Sequence, residues 1–244
     1  MIKIVDDIIL VGTSHVAKQS KKEIIAAIEF YKPELVCLEL DIDRFNHLMN
    51  PRKDKKTPNY KILREIGFAG YLFAKIGGFT QKKIGKSLGI EPGIDMKTGY
   101  LEARKNKIAT ALIDIHISKT LRKLSQISFS KKIKLVFNLF TKGFKKEYRE
   151  KLYFNPKDGV PEEEQILLMI EMIRKEVPIL YKILIGDRNM YMANKIMELK
   201  KNHKGAVMAI MGAGHLKGIE NILTNKIFAN QISFSFNIDV EQNE

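Results

Sequence analysis

Apolar and polar positions change period several times along the chain, and each change predicts an element. Residues 3–5 and the aliphatic run IILV at 8–11 flank Asp6-Asp7, which predicts a strand, a turn and a second strand of the kind buried on both faces. That run ends at Gly12. From Ser14 or His15 the spacing turns helical, with Val16, Ile24, Ile25, Ile28 and Phe30 on an inner face and Lys18, Lys21, Lys22 and Glu29 outside, until Pro33 stops it. Leu35-Val36-Cys37-Leu38 predicts a further buried strand, so residues 8–38 read as a βαβ unit with parallel strands. The carboxyl ends of those strands, at 12–15 and 39–44, then leave the sheet on one edge, where open α/β sheets bind ligands.

Beyond residue 45 the pattern is mostly helical. Residues 60–88 read as glycine-rich helix, and 97–106 as a helix introduced by the turn Glu91-Pro92-Gly93. A strand is expected at 109–113, helices through 117–183, and another helix after Gly186-Asp187, with Asp187 as its N-cap and Tyr191, Ala193, Ile196 and Met197 on its buried face. Residues 206–211 predict a strand that ends in Gly212-Ala213-Gly214-His215 and leads into a short helix through Ile222. QISFSFNI at 231–238 alternates with period two and reads as a closing, half-exposed strand. The expected fold is α/β: a central mixed, mainly parallel β-sheet with flanking helices and a helical insertion in the middle of the chain. With no proline-rich linker, residues 1–244 are expected to form a single domain, with helical insertions around 45–90 and 117–183.

Composition narrows the class. Hydrophobic residues make up 45% of the 244, enough for a packed core, and the 29% that are charged are spread along the chain, which excludes disorder. The only cysteine, Cys37, falls inside a predicted buried strand, so neither a disulfide nor a cysteine-rich zinc site is expected, and the thiol reads as packed and inert. The start lacks the features of a signal peptide, and the most apolar windows, 67–79 and 166–186, are too short or too charged to cross a bilayer; a cytoplasmic protein without a transmembrane anchor is expected. The net charge of +14 gathers at Lys53, Lys55 and Lys56, at Lys82 and Lys83, at Lys131, Lys132 and Lys134, and at Lys142, Lys145 and Lys146. No nucleic-acid-binding motif accompanies these lysines, so specific nucleic-acid recognition is not expected, and a solvated basic face, or else one that meets an anionic membrane surface or a peptide, is. Apolar helix stripes in the middle of the chain and the general habit of cytosolic enzymes favour a homodimer.

Candidate chemistry comes from a device that occurs twice. An aliphatic strand runs into GTSH at 12–15 and another into GAGH at 212–215, each followed by a helix, which hints at an internal duplication. Glycine allows the tight backbone at the strand end, and the imidazole projects into the crevice. Between these corners Glu39 ends a strand and Arg44 follows five residues later. If both units share one sheet, His15, Glu39 and His215 converge on its carboxyl edge as a catalytic metal set for zinc, manganese, cobalt or iron. Glu39 is then a ligand or the general base, Glu91 completes the shell from its turn, and Arg44 and Arg188 orient substrate or stabilise charge on it. The plainer alternatives are that each histidine is a cap or a satisfied core residue, that Glu39 simply pairs with Arg44, and that Asp187 is only a cap. His47, His116 and His203 lack the matching context and read as structural or surface residues. Neither GxSxG nor GxGxxG occurs, which leaves serine-hydrolase and dinucleotide readings without their motifs.

With those motifs in their order, the chain resembles the TraB family, also called TraB/PrgY and named for pheromone-shutdown proteins. The resemblance rests on IILVGTSHVAKQS at 8–20, PELVCLELDIDRF at 33–45, the stretch 88–124, VPILYKILIGDRNMYMANKI at 177–196 and AVMAIMGAGHLKGI at 206–219. That family is similar to the Tiki metalloproteases and to EreA and ChaN-like proteins. The resemblance implies a metal-dependent peptidase or related hydrolase, with His15, Glu39 and His215 at the shared positions and Glu91, Arg44 and Arg188 at looser ones. Where family members commonly show Glu-Arg-Asp or Glu-Arg-Asn, this chain has Asp187-Arg188-Asn189 after Gly186. Many family members carry a hydrophobic tail; this chain ends at Asn243-Glu244 without one, which reads as a soluble stand-alone version. The alternative function is a module that binds and sequesters a pheromone-like peptide without turnover.

Overall fold

Alternation along the strands decides which helices cover which face of the sheet. The structure, a computed structural model, describes residues 1–13, 17–50, 93–128 and 163–241. In chain order its elements are β1 (Ile2–Val5), β2 (Ile8–Thr13), α1 (Ala17–Tyr31), β3 (Leu35–Leu38), α2 (Ile42–Met49), α3 (Ile94–Lys105), β4 (Ala109–Leu112) and α4 (Ile117–Ser125). There follow α5 (Glu163–Glu176), α6 (Pro178–Tyr181), a π-helical turn (Lys182–Gly186), α7 (Asp187–Lys201), β5 (Val207–Gly212) and α8 (Ala213–Glu241). The five strands form one mixed sheet in the order β1-β2-β5-β3-β4; β1 is antiparallel to β2 and all other neighbours are parallel. This is the mainly parallel α/β arrangement expected.

β2, β3 and β5 are buried along their whole length, as strands covered on both faces must be. Ile8, Leu10, Leu35, Cys37, Val207, Ala209 and Met211 meet Met192, Ala193 and Ile196 of α7 and Leu216, Ile219 and Leu223 of α8. The alternate residues Ile9, Val11, Val36, Leu38, Met208 and Ile210 meet Ile24, Ala27 and Ile28 of α1 and Met96 and Ala103 of α3. Each fully buried aliphatic side chain contributes roughly 1.5–3 kcal/mol over leaving it in water, so these two apolar layers hold the sheet. A third cluster, Leu124, Ile127, Val177, Leu180 and Ile183, joins α4 to the α6 and π-helical segment. The two strands that run into the GxxH corners lie side by side, with Thr13 opposite Gly212, and the helices that follow them cover opposite faces.

Three expectations are corrected. Phe30, expected on the inner face of α1, is 79% exposed; Ala27 and Ile28 take the buried positions, and Phe30 instead packs edge-on against Tyr31. Asp187 is not an N-cap: Gly186 before it is itself helical (φ −60°, ψ −52°), so α6, the π-helical turn and α7 run on without a break. The expected closing strand at 231–238 is helix, because α8 continues to Glu241 rather than stopping at Ile222. Once α8 is nucleated on the sheet, adding residues costs less than starting a strand, and no glycine or proline after Gly218 interrupts it. The expected helix at 60–88 and the lysine clusters named above lie outside the described residues. Among the described residues no helix is long and apolar enough to cross a membrane.

Candidate active site at the carboxyl edge of the sheet

Because β2, β5, β3 and β4 are parallel neighbours, their carboxyl ends open on one edge, and the residues just beyond them meet there. Glu39 follows β3, Asp114 lies two residues past β4, and His215 opens α8 after β5. Backbone bonds continue the ladder past the strands: Glu39 N–H donates to Ile210 O (3.1 Å) and Asp114 N–H to Leu40 O (3.2 Å). Next to them Asp41 ends the extended run and caps α2. One carboxylate oxygen accepts from the N–H groups of Asp43 and Arg44 (2.9 Å each), and the other from Ile117 N–H at the start of α4 (3.1 Å). That cap sets Arg44 one turn along α2, facing back to the edge.

The Glu39 carboxylate, 7% exposed, is the hub. Oε2 accepts the Gly212 N–H at 2.7 Å; Oε1 takes the Arg188 guanidinium and lies 3.3 Å from His215 Nε2. Burial by itself raises this carboxyl's pKa, but the neighbouring His215 and Arg188 and the Gly212 N–H outweigh it and hold the group well below the usual carboxylate range. Arg188 also grips Asp114 in bidentate fashion, Nε to Oδ1 at 3.0 Å and NH2 to Oδ2 at 2.8 Å, and its NH1 donates to Leu184 O at 3.3 Å. Desolvation would lower the Arg188 pKa, yet its bonds to Asp114 and Glu39 raise it. Arg44 completes the set with NH1 on Asp114 Oδ2 (2.5 Å) and NH2 on the Glu39 carbonyl (3.1 Å). Two carboxylates thus face two guanidiniums, which is how buried charges are tolerated.

His215, 7% exposed, is oriented from behind: Nδ1 is 2.6 Å from Asn189 Oδ1. With an oxygen facing it, Nδ1 must be the donor, so in the neutral imidazole the lone pair is on Nε2 and points at Glu39. Two acceptor atoms 3.3 Å apart repel unless a positive charge lies between them. A divalent cation suits the pair, because an imidazole nitrogen and a carboxylate oxygen are ordinary donors for such ions at ~2.0–2.2 Å. Among the described residues no three His, Cys, Asp or Glu side chains form a metal-binding group; further donors would have to come from outside them.

Of the residues singled out by sequence, Glu39, Arg44, Arg188 and His215 come together. His15 and Glu91 lie outside the described residues. The alternative pairing of Glu39 with Arg44 takes a different form: Arg44 holds the Glu39 backbone and Asp114, while Arg188 holds the Glu39 side chain. Asp187 points away and pairs with Lys123 at 2.5 Å. His116 caps α4 by accepting the Ser118 N–H (3.3 Å) and bonds Asp43 (2.8 Å), and His203 bonds Leu199 O (2.8 Å), both structural roles. Cys37 is fully buried, and burial pushes its thiol up to about 12.

Two site residues escaped the sequence reading. Asp114 bears the same relation to β4 that Glu39 bears to β3, a carboxylate just past a strand end, and that rule would have found it. Asn189 stands at a helical position shared with Met192, Ala193 and Ile196, the buried stripe of α7; a polar residue on an apolar stripe was its signal. On the far side of Asn189 a cavity of about 370 Å³ opens between α5, the π-helical turn and the first turns of α8.

Comparison with known proteins places the chain in a family. Residues 3–226 match the TraB/PrgY/gumN family. An uncharacterized protein of Methanocaldococcus jannaschii is 33% identical over 237 residues, 97% of this chain and 58% of that protein. TraB domain-containing proteins of mouse and human are 26% and 24% identical, each over 86% of this chain and 61% of the relative. The chain therefore spans about three fifths of the length of these relatives. On the match to residues 3–226 and the 33% identity along nearly all of its length, the chain belongs to the TraB/PrgY/gumN family.

Proposed function

We propose that the carboxyl edge of the sheet is a metal-dependent hydrolase site acting on peptide bonds. The observation that carries this reading is the 3.3 Å approach of Glu39 Oε1 and His215 Nε2, each held by partners that leave the two donor atoms aimed at one another. His215 and Glu39 would hold the ion, with His15 and Glu91 as the further donors the sequence offers. A zinc, manganese, cobalt or iron ion bound there would activate a water molecule at neutral pH and polarise a carbonyl. The chain's own residues do the rest. Asn189 fixes the tautomer and angle of His215, as the hydrogen-bond partner behind a ligating histidine does. Arg188 and the Gly212 N–H keep Glu39 ionised, which suits an anionic ligand better than a proton carrier, since a general base works best with a pKa near the operating pH. Arg44, with 36% of its side chain exposed, is the cation best placed to meet an incoming carboxylate or carbonyl oxygen. A peptide as substrate rests on the family resemblance alone.

Metal analysis together with a peptide-hydrolysis assay tests this. About one equivalent of a divalent ion per chain is expected, removed by His215→Ala, with hydrolysis lost in parallel and in Glu39→Gln. A chain that takes up no divalent ion, and whose hydrolysis of any peptide survives both substitutions, would contradict the reading. The second reading, capture of a peptide without turnover, draws on the cavity beside Asn189; retention of peptides without cleavage in the presence of added metal would favour it.

A further inference from the structure

Glu39 Oε1, the atom that approaches His215 Nε2, is also the atom that Arg188 holds through NH2. A divalent cation entering between the carboxylate and the imidazole therefore meets a guanidinium already bound to the same oxygen. With side-chain exposures of 9% for Glu39 and 18% for Arg188, little water is present to screen the two positive charges from one another. Either the ion is kept out or Arg188 gives up this contact, and the bonding of Arg188 favours the second outcome. NH2 carries two hydrogens, one for Glu39 Oε1 and one for Asp114 Oδ2 at 2.8 Å. Releasing the first leaves the second in place, together with Nε on Asp114 Oδ1 (3.0 Å) and NH1 on Leu184 O (3.3 Å), so the guanidinium stays anchored without leaving its rotamer. Asp114 does not depend on Arg188 for its own position. Its N–H donates to Leu40 O at 3.2 Å, Oδ1 accepts the Ile115 N–H at 2.8 Å, and the side chain is 1% exposed.

We infer that Asp114 is a positioning residue of the ion site, the counter-charge that keeps hold of Arg188 while Glu39 Oε1 exchanges its guanidinium for a divalent cation. That a cation binds there rests on the function proposed above; that Arg188 occupies the oxygen it would take rests on the geometry. Calorimetry with manganese and with zinc on the full chain at neutral pH tests the exchange without substrate or turnover. Arg188→Gln is expected to bind the ion about tenfold more tightly than the parent, because the rival charge is gone. The same variant, free of metal, is expected to melt at a lower temperature, because two buried carboxylates lose a cation. Asp114→Asn is expected to bind about tenfold more weakly, since a guanidinium short of its other counter-charge stays on Glu39. Added to Arg188→Gln, Asp114→Asn should weaken binding by no more than about threefold, a coupling that the shared guanidinium transmits. An ion-pair network with a structural role alone would weaken binding in both single variants. Crystals of the manganese-loaded parent give a second readout that needs no substitution: Nε and NH2 still on Asp114, with NH2 beyond hydrogen-bond reach of Glu39 Oε1. Weaker or unchanged binding in Arg188→Gln, or a loaded parent in which NH2 still donates to Oε1, would overturn the inference. The two proposals fail separately. A parent that binds the ion, with Arg188→Gln binding it no better, sinks the exchange and leaves the metal site. Uptake by Arg188→Gln but not by the parent supports the exchange and sinks the parent as a metal-dependent hydrolase, and no uptake by either sinks both.

Discussion

Two buried titratable side chains in adjacent parts of β3 and its end, Cys37 and Glu39, are driven in opposite directions by what surrounds them. Cys37 has only apolar neighbours in its cluster, so nothing offsets desolvation and the thiol rises to about 12. Two residues on, Glu39 meets cations and an N–H, which overcome the same desolvation and keep it charged. The consequence for Cys37 is direct. A free thiol with a pKa of about 8.5 reacts readily with disulfide reagents at mildly alkaline pH; Cys37 should be inert in the folded chain at about pH 8 and react fully once denaturant is added. Titration with a chromogenic disulfide checks this, and rapid reaction of the native protein would show that β3 opens or that the strand is placed wrongly. Because the folded pKa is raised, the thiol's contribution to stability is complete below the unfolded value and fades as the pH climbs toward about 12.

Elements set the site through close approaches as much as through polar bonds. α8 crosses α7 at Gly218, where a Cβ would sit 2.1 Å from Asn189 Nδ2. No side-chain adjustment relieves that overlap without moving the amide that orients His215. Gly218→Ala should therefore cost about 1–3 kcal/mol and also weaken metal binding, although it touches neither donor. Asn189→Asp, which preserves an acceptor for Nδ1, should retain metal binding far better than Asn189→Leu. Equal affinity in Asn189→Leu and the parent would show that His215 needs no such support. The elements also mark what the sequence could convey. Strands read correctly where burial on both faces produced unbroken aliphatic runs, as at β2, β3 and β5, and the convergence of Glu39 with His215 followed from parallel strands sharing an edge. Phe30 is misplaced by its hydrophobicity alone: at about 100° per residue it lies on the opposite side of α1 from Ile24 and Ile28, and the period continues the buried face through Ala27 to Tyr31 instead. The alternation of QISFSFNI suggested a strand because period two is visible locally, whereas the helix that overrides it is nucleated nearly twenty residues earlier. Asn189 went unread because its role exists only once α8 lies against α7.

At the scale of the whole molecule, three strand ends and three helices, α2, α7 and α8, share a single charge network, so the site and the fold are stabilised together. Arg188 on α7 ties Glu39 after β3 to Asp114 after β4, and Gly212 at the end of β5 joins through its N–H. Linkage gives the sign of the pH effect. Glu39 has a lowered folded pKa, so its stabilisation is complete above the unfolded carboxyl value of ~4.3 and is lost as the pH falls through that value toward the folded one. Denaturant unfolding followed from about pH 6 to pH 3 should show falling stability, with a shallower slope in Glu39→Gln. That variant should be less stable than the parent at neutral pH, where Arg188 loses a charged partner. Identical slopes in the two proteins would mean that Glu39 is not held as an anion.

The meeting of Glu39 and His215 as a cation site is the claim on which the functional account turns. Anomalous diffraction from crystals of the manganese- or zinc-loaded protein addresses it most directly. The account predicts one strong peak within bonding distance of both Glu39 Oε1 and His215 Nε2, with Arg188 still on Asp114. A peak elsewhere, or fully loaded crystals in which His215 Nε2 faces only Glu39 with no density between them, would contradict it.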